Sequence, residues 1–134
     1  MKKKDLEKKI DSTEMWFLRR LLRISWKEKR TDESILQQLG VKRELKNYIK
    51  RRKLSFFGHA CRSKCTLMKD TIQGKVEGKR RRGRPRMAYL DNIKAWTGKN
   101  GTDIFNATTL RDEWRDIVWR AVRAANVELF DDAG

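Results

Sequence analysis

Several residue types are scarce in this chain. It has two cysteines, one histidine and one proline among 134 residues. Nowhere does a run approach the ~20 apolar residues that a membrane-spanning helix needs. Two thiols, Cys61 and Cys65, are too few for the disulfide framework of a small secreted domain, and in a reducing compartment they would stay thiols. With His59 they make three nitrogen or sulfur ligands, one fewer than a tetrahedral structural zinc site takes. His59, Cys61 and Cys65 are therefore weak metal candidates, for which Asp70 or a second chain would have to complete the shell. His59 reads better as a capping or packing residue beside Phe56 and Phe57, and no cofactor is expected. The basic opening, MKKKDLEKK, is not followed by the apolar stretch of a signal peptide, so the chain reads as soluble and intracellular.

Positive charge is what the chain has in excess. The net charge is +16, with charged residues at 39% and apolar ones at 38%, so any core is limited. The charge is concentrated: residues 1–41 hold 11 basic and 7 acidic side chains, residues 42–86 hold 17 and 3, and residues 87–134 hold 6 and 8. A block of this kind is the electrostatic footprint of a nucleic-acid partner, whereas a charge serving only solubility would be spread evenly.

The block culminates in KRRRGRPR, Lys79 to Arg86. Such a density of like charge repels itself and stays solvated until a polyanion neutralises it. Its centre, Arg82-Gly83-Arg84-Pro85-Arg86, looks like an AT-hook. Gly83 has no side chain to hold the backbone off a groove floor, Pro85 fixes the exit, and Arg82 and Arg84 reach along a narrow negative groove. General contact with a polyanion, through Lys79, Arg80, Arg81, Arg82, Arg84 and Arg86, is preferred here to true minor-groove reading. Clusters of this sort also serve as nuclear-import signals, which points to the nucleus.

Periodicity predicts an all-α fold of about five helices. Asp11 and Glu14 have capping-box spacing ahead of a helix that would bury Met15, Leu18, Leu22 and Trp26 and expose a basic stripe of Arg19, Arg20, Arg23 and Lys27. Thr31 and Gly40 bracket a second, short helix. A third segment puts Leu45, Tyr48, Ile49, Phe56 and Ala60 on one side and Arg43, Lys46 and Lys50 on the other. Arg52 and Leu54 break the phase, which predicts a bend there, with Gly58 a further weak point. From Thr66 to Val76 no period is clear. Pro85 would open a helix burying Met87, Leu90, Ile93 and Trp96, followed by a turn from Thr97 to Gly101. The clearest period runs from Thr109 to Val127, with Leu110, Trp114, Ile117, Val118, Ala121 and Ala125 on one face. The expected organisation is an N-terminal helical part at 1–65, a basic linker at 66–86 and a C-terminal helical part at 87–134, together one domain.

Two tryptophans fall outside these apolar faces. Trp16 projects into the first basic stripe, and Trp119 lies between Arg115 and Arg123, so each is a candidate for stacking on a base or docking on a partner. Phe56 and Phe57 also stand beside basic residues, but a chain this poor in apolar side chains needs them as core.

Four ordered blocks together resemble the C-terminal region of the endonuclease–reverse transcriptase polyproteins of non-long-terminal-repeat, LINE-type retrotransposons, especially the RTE group. They are EMWFLRRLLRISW (Glu14 to Trp26), KRRKLSFFGHACR (Lys50 to Arg62), GKVEGKRRRGRPRMAYLDNIKAW (Gly74 to Trp96) and LRDEWRDIV (Leu110 to Val118). The chain departs from that pattern at Cys61, where a large apolar residue is usual, and at Asp91-Asn92, where a pair of acids is common. The resemblance implies an accessory region that helps hold element RNA or target DNA, beside a polymerase body that it could touch, while catalysis occurs elsewhere. It does not carry the enzyme over. The polymerase signature is a Tyr-x-Asp-Asp turn backed by another carboxylate, since two metal ions need several oxygen ligands. The nearest string here, Tyr89-Leu90-Asp91-Asn92, ends in an amide and belongs to a predicted helix. No catalytic centre is therefore expected. Phosphate contact would come from the central cluster with Gly83, from Lys46 and Lys50, and from Arg19 and Arg23. The alternatives are a protein-interaction module docking through Trp16 and Trp119, and a zinc-dependent nucleic-acid-binding module. Membrane-surface binding ranks behind both.

Overall fold

Helix ends decide this architecture as much as helix interiors do. The computed structural model describes residues 3–74, 78, 82, 83 and 89–127. Among them it contains seven α-helices, a single 3-10 turn and no strand, so the chain is all-α. The helices are α1 (Lys3–Leu21), α2 (Asp32–Leu39), α3 (Leu45–Arg62), α4 (Thr66–Gln73), α5 (Tyr89–Thr97), α6 (Gly101–Thr109) and α7 (Arg111–Val127), with the 3-10 turn at Trp26–Glu28. They pack as two units, Met1–Ile49 and Lys50–Gly134, so the division falls one turn into α3.

In the first unit the expected start of α1 is corrected. The helix already runs from Lys3, and Asp11 and Glu14 lie in its interior. Glu14 caps a different helix: its Oε1 accepts from the backbone N–H of Glu44 at 2.8 Å and of Leu45 at 3.1 Å, satisfying donors that the first turn of α3 leaves orphaned. The capping box of this region is instead Ser25 with Glu28. Glu28 Oε1 accepts from the Ser25 N–H at 2.9 Å, and Ser25 Oγ accepts from the Lys27 N–H at 3.4 Å. The resulting turn takes Trp26 out of the expected apolar face and leaves it 81% exposed.

Thr31 and Gly40 behave as their types predict. The Thr31 hydroxyl accepts from the Ser34 N–H, and Gly40 ends α2 in the left-handed conformation. Among the described residues of this unit, Ile35 of α2 and Met15 of α1 are the buried apolar side chains. Asp32 reinforces their packing by accepting from Arg19 at 2.9 Å and from Arg43 at 3.1 Å, while Arg19 also donates to the carbonyl of Arg30 at 2.7 Å.

The second unit holds the larger core. Leu54 and Phe57 of α3, Ile93 of α5, Ile104 and Ala107 of α6, and Trp114, Ile117, Val118 and Ala121 of α7 bury one another. Phe57 is its aromatic centre, with ring centroids 5.5 Å from Trp114, 5.8 Å from Phe105 and 6.3 Å from Tyr89. The expected bend at Arg52 and Leu54 is absent, because α3 is one helix whose phase is set by Leu54, Phe57, Gly58 and Ala60. Gly58 is likewise no weak point. It is buried, and a Cβ built there would lie 2.2 Å from Trp114 Nε1, so the glycine is what admits the indole. That same Nε1 donates to the carbonyl of Leu54 at 3.0 Å.

Two helices were not legible from periodicity. The segment without a clear pattern forms α4, ended by Gly74 in the left-handed conformation. The stretch after the expected turn forms α6, entered through Asn100 and buried through Ile104, Ala107 and Thr108. Its C-terminal end is held by Arg62, which donates to the carbonyl of Thr108 at 2.9 Å. Ile93 is fully buried in α5 as expected, whereas Met87 lies outside the described residues. Leu110 precedes α7 and is exposed, which corrects its assignment to the apolar face.

The contact between Gly58 and Trp114 gives a prediction with a sign. Alanine favours a helix interior over glycine by roughly 1 kcal/mol. Overpacking against a rigid buried indole costs about 1–3 kcal/mol. Gly58→Ala should therefore lower stability in urea unfolding. In the Trp114→Leu background, which is itself less stable, the same change should become neutral or stabilising; an equal loss in both backgrounds would refute the steric account.

Candidate nucleic-acid interface

The described cations divide by what surrounds them. Of the basic residues expected to meet phosphate, Arg19 is held by Asp32, as is Arg43 beside it, and Lys46 Nζ lies 2.7 Å from Asp11. These charges are partly neutralised within the unit and serve to fasten α1, α2 and the start of α3. Lys50 Nζ sits 5.8 Å from the centroid of the Trp96 ring. Lys53, from the same helix, lies 4.3 Å from the Tyr89 ring and 5.4 Å from Trp96, and burial lowers its pKa.

Arg20, Arg23 and Lys27 are exposed at the end of α1 and in the turn that follows. Arg20 and Arg23, but not Lys27, line a groove of about 890 Å³ together with Trp16, Arg19, Trp26, Lys29 and Arg30 among others. Arg23 and Lys29, which flank the Ser25–Glu28 capping box within this groove, both have positive φ, at 55° and 47°. Trp16 is 55% exposed, with the Arg20 guanidinium 5.5 Å from its centroid. Trp26, Lys29 and Arg30 are additions that the helical reading missed, although Ser25 and Glu28 already stood at capping-box spacing.

A second groove, of about 750 Å³, belongs to the other unit. On α3 the lining residues Arg51, Ser55, His59 and Arg62 follow one another at steps of four, four and three, the spacing of one helix face. On α7 the steps from Arg111 to Arg115 to Trp119 are four and four, a second stripe lining the same groove. Trp119 is 60% exposed, and the Arg123 guanidinium is 4.8 Å from its centroid. Arg115 also approaches Asp112 at 3.6 Å, a highly exposed and therefore weak pair. Sequence reasoning missed Arg51, Arg62 and Arg111 and placed Arg115 only as a neighbour of Trp119; their helical spacing was the available signal, and their meeting in one groove gives them a common role.

The central cluster is reached only in part. Arg82 and Gly83 are exposed, and Gly83 has φ of 133°, which L side chains rarely adopt. Lys79, Arg80, Arg81, Arg84, Pro85 and Arg86 lie outside the described residues.

The weak metal candidates do not converge. His59 and Cys61 are two residues apart on α3, which points them to opposite sides of the helix. His59 is exposed in the groove, Cys61 packs half-buried against the core, and Cys65 is exposed at the start of α4. Among the described residues no group of His, Cys, Asp and Glu side chains is placed to hold a metal ion. Phe57 is core as expected, but Phe56 is 52% exposed. Tyr89 opens a helix, and its hydroxyl donates to the carbonyl of Lys53 at 3.3 Å. Burial, aided by nearby Cys61, raises its pKa, so this tyrosine is a packing residue of the second unit. Among the described residues no helix is long and apolar enough to cross a membrane.

Comparisons with protein-family models, with curated proteins and with solved structures find no match to this chain.

The two thiols should differ chemically. Burial pushes the Cys61 thiol up, against the weaker opposing effects of a hydrogen bond with Thr108 and the charges of Arg62 and Lys69. A raised pKa leaves less thiolate at neutral pH, and half-burial restricts access to it. Iodoacetamide at neutral pH should therefore alkylate exposed Cys65 well before Cys61, as followed by peptide mass spectrometry. Equal rates would contradict the packing assigned to Cys61.

Proposed function

We propose that this chain binds nucleic acid, mainly through phosphates and with little base specificity, as the C-terminal accessory region of a non-long-terminal-repeat retrotransposon endonuclease–reverse transcriptase. It acts without a catalytic centre of its own, in the nucleus. The observation that carries the reading is the combination of a concentrated basic block with grooves in each unit whose linings pair arginines with an exposed tryptophan. Arginine offers a fork of donors matched to phosphate oxygens, and an exposed indole offers a face to a base. The sequence resemblance supports the same class of ligand.

A second reading has its own observation. Phe17, Leu21 and Trp26 are exposed at 60%, 71% and 81%, apolar surface that a polymerase body or another protein partner could cover. Salt separates the two, because phosphate contacts release counterions whereas apolar docking is nearly indifferent to ionic strength.

Fluorescence anisotropy with A·T-rich duplex, G·C-rich duplex and single-stranded RNA across a salt series tests the proposal. Each arginine on a phosphate adds about one to the slope of log affinity against log salt. The Arg20→Ala, Arg23→Ala double variant should then lower that slope by about two, and the Arg82→Ala, Arg84→Ala variant by a similar amount. A preference for A·T-rich duplex that disappears in the latter variant would assign minor-groove reading to the hook. Absence of binding at low salt would refute the function and favour the docking surface.

A further inference from the structure

The groove of the second unit has features that phosphate binding by itself does not use. Its lining includes Arg51, Arg62, Arg111 and Arg115 and, among the described residues, no carboxylate, so it favours an anion. Arg62 gives one nitrogen to the Thr108 carbonyl, but a guanidinium has further donors to offer. Trp119 is the unusual member. A tryptophan that is 60% exposed on a charged helix face is costly to leave in water, and phosphate has no use for it. Its ring already takes a flat partner, the Arg123 guanidinium at 4.8 Å. A nucleobase is flat in the same way and larger.

Bases within a duplex are stacked on one another and present only their edges to a protein, so they have no face to lay on an indole. An unpaired base does. A volume of about 750 Å³ is ample for a nucleotide-sized group. An acidic peptide would satisfy the arginines but would give the indole no flat partner beyond Arg123. We infer that the groove between α3 and α7 binds an unpaired segment of RNA or DNA, with a base on Trp119 and adjacent phosphates on Arg51, Arg62, Arg111 and Arg115. This inference rests on the nucleic-acid reading above and gives that reading a strand form: single, not double.

Anisotropy with a short labelled oligouridylate and with a duplex of equal length, using the full chain, tests it. Trp119→Ala should weaken oligouridylate binding by about ten-fold or more while changing duplex binding less than about two-fold. Trp119→Phe should recover most of the loss. Thermal melts should be unchanged in both variants, since Trp119 lies outside the core. An equal loss on single strand and duplex, or no loss on the single strand, would overturn the inference while leaving nucleic-acid binding intact. Displacement of the oligouridylate by polyglutamate at matched charge would overturn it as well, by showing that charge alone is recognised. If neither polymer binds at low salt, the failure belongs to the nucleic-acid reading itself.

Discussion

The second unit depends on one close approach, that of the Trp114 indole to the bare backbone at Gly58. The approach is possible because position 58 has no Cβ, and it is fixed because Trp114 Nε1 donates to the Leu54 carbonyl one helical turn earlier. Burying an indole without a partner for its N–H would cost desolvation, so the hydrogen bond and the glycine are two parts of one solution. Phe57 then packs on the same ring, and through Phe57 the core reaches Tyr89 of α5 and Phe105 of α6. The stripes of α3 and α7 that line the second groove flank this contact, with Trp114 itself contributing to the lining.

Charge is used in two ways. A chain with so few carboxylates cannot neutralise its cations, and it spends several of the acids it has on structure. Asp32 receives two arginines, Asp11 receives Lys46, and Glu14 caps α3. Arg19, which also lines the first groove, Lys46 and Arg62 therefore have structural partners as well as charge, while Arg20, Arg23, Arg51 and Arg111 are exposed on grooves whose described lining residues include no carboxylate. Sequence position alone does not separate these groups. Arg19 and Arg20 are neighbours, and one helical step of rotation sends the first toward Asp32 and the second across Trp16.

This explains what could and could not be read in advance. The all-α class, the bounds of α2 and the burial of Trp114, Ile117, Val118 and Ala121 on α7 were legible because they rest on local signals: a Thr cap, a left-handed Gly and a helical period. Leu110 falls outside that face, and the side chain of Ala125 lies outside the described residues. The continuity of α3 was hidden because Gly58 looks like a helix weakness until its tertiary partner is known. Two competing capping boxes, Asp11 with Glu14 and Ser25 with Glu28, have equal standing in sequence, and only the second forms. The first fails because α1 already runs through it, which frees Glu14 to serve a helix some 30 residues away. Helix α4 contains no buried residue, so no apolar face marks it in the sequence. Of the second groove, Trp119 was singled out from sequence while Arg51, Arg62 and Arg111 were not, since what marks them is convergence, a property of packing.

The turn that carries Trp26 sets two aims against each other. Arg23 and Lys29 hold left-handed backbone that costs an L residue roughly 1–2 kcal/mol and costs glycine almost nothing. Glycine at either position would relax the chain, and it would also delete a cation from the rim of the first groove. A variant engineered for thermal tolerance would therefore surrender charge here, and one engineered for charge must accept a tense loop. Asparagine, which tolerates this region better than most residues, would ease the backbone but is neutral. No standard side chain offers both, so the durability of this turn and its electrostatic strength cannot be raised together by substitution at these two positions.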